Sequence, residues 1–211
     1  TGFVLIALLG LYALLSHSDS LSANTAAEKP AGEAAFVIEE RGLGDKSAPV
    51  VIEEYAALSC SHCAHFHKDI LDKLKEKYID TGKVRLIFND FPFNAPSLDA
   101  SMIARCMPQE RFFPFVKMLF ETQESWAYGN NHREMLRQNA KLAGMSDETF
   151  DSCLANDGLK QALVEKMKKV AQEKKISSTP SFVINGKDVI SGAMPVEEFS
   201  KVIDPLLEEK K

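Results

Sequence analysis

The sequence is short of positive charge. Its 25 Lys and Arg are outnumbered by 30 Asp and Glu, which leaves a net charge of -5 at pH 7. No basic stripe interleaved with aromatics runs along it. A chain that neutralises phosphates needs both, so nucleic acid has no footing here. Long apolar runs are missing too. The longest, Gly2 to Leu15 (GFVLIALLGLYALL), falls short of the ~20 residues a membrane-spanning helix requires. It suits the h-region of a signal peptide, or the visible part of an N-terminal anchor. Cysteine is scarce, at four in 211 residues, and no internal repeat is visible. Histidine and cysteine crowd together once, at Cys60, His62, Cys63, His65 and His67. A tetrahedral zinc or copper site draws ligands from a second segment as well, and no second cluster exists.

What is present is ordinary globular composition, 45% hydrophobic and 26% charged. Residues 1–15 are read as signal peptide or membrane anchor. Residues 16–34, rich in Ser, Ala, Glu and Pro, are read as a linker. Either reading has the chain exported, and export favours pairing of an even number of cysteines. Beyond the linker, hydrophobic periodicity predicts strands at residues 35–39, 48–57 and 83–88, with Gly42 and Gly44 marking a turn. A helix over residues 64–78 carries Phe66, Ile70, Leu71, Leu74 and Tyr78 on one face, and this β-α-β order suits parallel pairing. Residues 96–175 are helical throughout. Strands return at residues 181–184 and 188–190, joined by Asn185-Gly186, a strong hairpin signal. A last helix follows Pro195 and is limited or kinked by Pro205. The expected architecture is an α/β domain, residues 35–95 and 176–209, interrupted by an all-helical insertion, residues 96–175.

Two short segments carry the chemistry. Cys60-Ser61-His62-Cys63 stands where an apolar strand turns into an amphipathic helix. There the first thiol meets the unpaired N–H groups and positive end of the helix, which favour a thiolate. Ser61 and His62 tune that thiol, His62 by a hydrogen bond or positive charge. Cys63, one turn in, is the more buried, resolving thiol. Thr179-Pro180 enters a later strand, and a cis bond there would expose backbone groups to an extended substrate. Glu54, six residues before Cys60 on an apolar strand, is placed to relay the proton of Cys63, with Glu53 facing the other way. His65 and His67 are read as surface residues flanking the site.

These residues resemble a family, the bacterial periplasmic thiol:disulfide oxidoreductases of the DsbA type, which have a thioredoxin-like fold with an inserted helical domain. The similarity rests on Glu54 to Cys60, on Cys60-Ser61-His62-Cys63, on Asp90-Phe91-Pro92, and on Thr179-Pro180 with Ser181-Phe182-Val183. It implies Cys60 as nucleophile, Cys63 as resolving cysteine, Glu54 as buried acid and Thr179-Pro180 as the cis-proline loop. Ser61 stands where the family often has Pro. The resemblance is nearest to the branch with a second cysteine pair, here Cys106 and Cys153, which would close a loop of about 48 residues as a structural disulfide. It further implies no cofactor, a periplasmic location, exported proteins with free cysteines as substrates, and reoxidation by a quinone-linked membrane protein. The expected activity is a dithiol oxidase donating the Cys60–Cys63 disulfide. The competing readings are an isomerase or reductase of the same fold and, from another class, a zinc or copper carrier.

Overall fold

The computed structural model describes residues 36–209. The expected signal or anchor, the linker and Ala35 lie outside the described residues. The framework is a five-stranded mixed sheet of order β1-β3-β2-β4-β5. β1 is Arg41–Leu43 and β2 is Val50–Ala56. β3 is Val84–Asp90, β4 Ser181–Ile184 and β5 Asp188–Ser191. β2 and β3 pair in parallel, Val50 opposite Val84 through Ala56 opposite Asp90, and the remaining pairs are antiparallel. The parallel pair needs a crossover, and α1, residues 61–79, supplies it. That helix contains two π-helical turns, Phe66–Ile70 and Lys75–Ile79.

The first strand falls later than the sequence pattern predicts. Apolar residues at 35–39 suggest a strand, yet Phe36 and Val37 are exposed and the pairing begins at Arg41. Edge position explains the shift. The strand is held by partners on β3, with Gly42 opposite Ile87 and the Arg85 guanidinium packed over the glycine. The turn is made by Gly44 alone, at φ +91, a conformation that favours glycine. The hairpin at Asn185-Gly186 has positive φ at both residues, +48 and +73, as a tight β-hairpin turn requires.

Between β3 and β4 the chain is helical: α2 Ala95–Arg105, α3 Gln109–Glu121, α4 Gln123–Trp126, α5 His132–Leu142, α6 Asp147–Leu154 and α7 Asp157–Glu173. The last helix, α8 Val196–Glu208, runs through Pro205 rather than stopping at it. Among the described residues no helix is long and apolar enough to cross a membrane.

Two cores meet at the end of β2. One is built from Ile52, Phe66, Leu74, Phe182, Phe199 and Ile203, between the sheet, α1 and α8. The other, with Phe112, Phe115, Leu119, Phe120, Trp126 and Phe150, fills the helical insertion and continues into Ala56, Leu58, Cys60 and Cys63. The Cys60-containing turn is therefore part of the insertion's core, where truncating one buried aromatic costs about 3–5 kcal/mol. Cys106, at the end of α2, is bonded to Cys153 on α6 with an S–S distance of 2.04 Å. This ties two helices of the insertion together.

Candidate active site

β2 delivers the chain to the site and α1 takes it away. Cys60 is the N-cap of α1, with extended backbone at φ -86 and ψ 121. Its own N–H is spent on the Ala57 carbonyl and its carbonyl accepts from Ala64. No side chain caps the helix, so the first N–H groups point at the sulfur. Both Cys60 and Cys63 are free thiols. They differ in surroundings: Cys60 is 9% exposed and Cys63 fully buried.

That difference separates their acidities. The Cys60 thiol is pulled down from 9.0 to about 5. The Cys63 side chain is the largest cause, followed after an opposing desolvation by Thr179 and by the backbone N–H groups of Cys63 and His62. Hydrogen bonds to the charged form are what stabilise it. Cys63 moves the other way, well above 9.0, first through burial, then through the neighbouring Cys60 and the negative charge of Glu54. His62, expected to act through its side chain, has an exposed ring and contributes its backbone N–H. Ser61 is exposed on the first turn of α1.

The Thr179–Pro180 peptide is cis. As a thiol, Cys60 donates from Sγ to the Thr179 carbonyl oxygen at 3.3 Å, across 119 residues of sequence. Pro180 lies behind it at the entry to β4, and its carbonyl accepts from Gly192. The cysteine turn and the cis-proline loop thus meet face to face.

Three further residues fix this turn. Gln123 on α4 is buried and donates from Nε2 to the carbonyls of Leu58, at 2.7 Å, and Cys60, at 3.0 Å. The Tyr128 hydroxyl donates to Gln123 Oε1 at 2.8 Å. On the other side, Ser59 donates to Asn94 Oδ1, which also caps α2 through the Ser97 N–H. The Asn94 cap was legible as Asn before Ala95-Pro96, a helix-start signature. Nothing in the sequence singles out Gln123, because only the fold brings α4 over the turn. Beside these residues opens a cavity of about 530 Å³ lined by Ser61, His65, Lys68, Phe120, Gln123 and Tyr128.

Glu54 sits on the buried face of β2, in phase with Val50 and Ile52, and is fully enclosed. Its Oε1 lies 2.8 Å from His67 Nε2. Its Oε2 is buried with no partner among the described residues. The reading of His67 as a surface residue is corrected here: it is 3% exposed. Four residues beyond Cys63 and beside Phe66, it falls on the same buried stripe of α1, and its ring stacks on Phe120 at 4.4 Å. His65 does face outward and pairs with Asp69 at 2.7 Å. The histidines of the cluster therefore diverge. Among the described residues no group of three or more His, Cys, Asp or Glu converges as metal ligands would.

Comparison with known proteins agrees with this geometry. The thioredoxin family matches residues 37–205. A Rickettsia felis protein carrying the name "Putative protein-disulfide oxidoreductase" is 36% identical over 170 residues, which is 80% of this chain and 60% of that protein. The chain thus spans about three fifths of that relative's length. Among solved structures, alpha-DsbA1 of Wolbachia pipientis superposes with a TM-score of 0.75 at 32% identity, covering 82% of this chain and 94% of that one. BdbD from Bacillus subtilis superposes with a TM-score of 0.72 at 25% identity, covering 80% and 93%. With its five-stranded sheet, its helical insertion and the match along most of its length, the chain belongs to the thioredoxin family, among the proteins of the DsbA type.

Proposed function

We propose that this chain is a periplasmic dithiol oxidase that donates a Cys60–Cys63 disulfide to exported proteins with free cysteines. A substrate thiolate attacks Sγ of Cys60 and the Cys60–Cys63 bond breaks. The electron pair leaves on Cys63, which takes up a proton. A mixed disulfide now joins Cys60 to the substrate. The substrate's second thiol, as thiolate, then attacks its own mixed-disulfide sulfur and expels Cys60 as thiolate. The substrate gains a disulfide and this protein leaves as the dithiol, with both electrons. Backbone at Thr179 and Pro180 holds the substrate extended beside Cys60. Reoxidation falls to a quinone-linked membrane protein, and residues 1–15 act as signal or anchor.

The observation that carries this reading is the contrast between the two thiols. A Cys60 held near pKa 5 is a good leaving group, and stabilising the reduced form makes the disulfide a strong oxidant. A reductase or isomerase needs a less stabilised thiolate. The test is equilibration of the Cys60–Cys63 pair in glutathione buffers. A potential near about -120 mV supports disulfide donation, and one near about -270 mV overturns it in favour of a reductase.

A further inference from the structure

The buried thiol poses a problem of proton supply. Cys63 has no exposure at all, and a thiolate left there without a proton is strongly disfavoured. The group that exchanges protons with it must therefore be inside. Glu54 is one such group, yet a carboxylate enclosed to the same degree needs a source of its own.

The structure supplies one. Cys63 and His67 are four residues apart on the buried face of α1, and His67 ends at Glu54 Oε1, 2.8 Å away. The second carboxylate oxygen, Oε2, is enclosed and has no partner among the described residues, and Glu54's charge is felt at Cys63. Aromatic rings shut the other sides: Phe120 stacks on the imidazole, and Phe66 and Phe88 meet it edge-on. The titratable group in contact with the ring is thus Glu54, from β2, and Cys63 lies one turn before it on its own helix. The charged residues of the other packed elements are engaged elsewhere or exposed. On β3, Arg85 pairs with Glu40 and Asp90 with Arg105. On α3, Lys117 pairs with Asp72 and Glu121 is exposed. On α1, His65 and Asp69 pair with each other on the outer face.

We propose that His67 is a positioning residue that holds the proton exchanged with the buried thiol, passing it to and from Cys63 through the two oxygens of Glu54. This rests on the oxidase reading above. When the Cys60–Cys63 disulfide is opened, the His67 imidazolium gives its Nε2 proton to the Glu54 carboxylate, and the carboxyl so formed gives a proton to the Cys63 thiolate, which leaves a neutral imidazole, a carboxylate and a thiol. When Cys63 attacks a mixed disulfide at Cys60, the proton runs back. One proton moves in each direction and no further reactant is needed.

The test separates the two cysteines in time. Reduced protein is mixed with excess oxidised glutathione, quenched with acid, and resolved by mass spectrometry into the Cys60–glutathione adduct and the closed Cys60–Cys63 disulfide. The first step reads Cys60 alone. The second reads loss of the Cys63 proton. In His67→Gln, adduct formation keeps its wild-type rate, while closure at pH 7 slows by about 100-fold, the lower end of what a placed acid–base group contributes. In the variant the Cys63 proton must be taken by solvent base, so closure climbs with pH to 9, a dependence the wild-type rate does not share. A merely structural histidine would alter stability and leave the shape of that profile alone. Wild-type closure kinetics in His67→Gln overturn the proposal. Should that variant fail to fold, His67→Asn carries the same test, and wild-type closure kinetics there overturn the proposal. Formation of neither the Cys60 adduct nor the closed disulfide in wild type would instead sink the oxidase reading.

Discussion

The acidity of Cys60 is the quantity most open to refutation. The perturbation is removal of one hydrogen-bond partner at a time, and the assay is the rate of alkylation by iodoacetamide against pH. With the thiol at about 5 rather than 9.0, the rate should rise between about pH 4 and 6 and stay flat above, since at pH 7 about 99% of the sulfur is thiolate. The Cys63 side chain is the largest cause of the depression and Thr179 a smaller one. Cys63→Ala should therefore move the midpoint up further than Thr179→Val. The same shift is a stability statement. Because the folded value lies below the unfolded one, the contribution is complete above pH 9.0 and is lost as pH falls through about 5. Two pH units separate pH 5 from pH 7, worth about 2.7 kcal/mol for a fully shielded group. The sulfur has solvent on one side, so about half of that, near 1.4 kcal/mol, is expected after screening. Reduced protein should gain this stability between pH 5 and 7 in guanidinium melts, and oxidised protein, with no thiol to titrate, should not. A wild-type midpoint near 8.5, or a larger shift from Thr179→Val than from Cys63→Ala, refutes the reasoning.

Two further outcomes follow from the insertion. Replacing both Cys106 and Cys153 by Ala opens a loop with a sequence separation of 47. Chain entropy puts the loss at about 4 kcal/mol, which for a domain of this size lowers Tm by about 10 °C; an unchanged calorimetric midpoint would contradict it. Gln123→Ala strips the side-chain donor from the Leu58 and Cys60 carbonyls. About 2 kcal/mol of destabilisation is expected for buried acceptors left unpaired, together with faster amide exchange at residues 58–64. Unaltered exchange there would show that the turn holds itself.

The parts of this protein that could be read in its sequence are those set by local rules. Cys60 to Cys63 at a strand–helix junction, the Asn185-Gly186 hairpin, and the helical periodicity of residues 96–175 each depend on a few neighbouring residues, and each is found where it was expected. Phase along β2 was legible as well, since a period of two puts Glu54 on the same face as Val50 and Ile52. What failed was whatever depended on a distant partner. Residues 35–39 have the composition of a strand, but β3 offers its free edge to Arg41–Leu43 instead. Gln123 carries no signal, because its role exists only once α4 lies over residues 58–60.

His67 is the instructive case. Between His65 and Lys68 it reads by composition as one more polar residue on a solvated face, although helical spacing from Cys63, Ile70 and Leu71 sets it on the apolar stripe. What composition could not show is its partner, because Glu54 comes from β2. With that partner in place the histidine lies between Phe120 and Glu54, and the surface reading fails. A polar ring is kept in an apolar enclosure only with a partner, and its partner is the carboxylate whose charge reaches Cys63. Burial and function are thus coupled through one contact, His67 to Glu54, at the boundary between the sheet core and the insertion core.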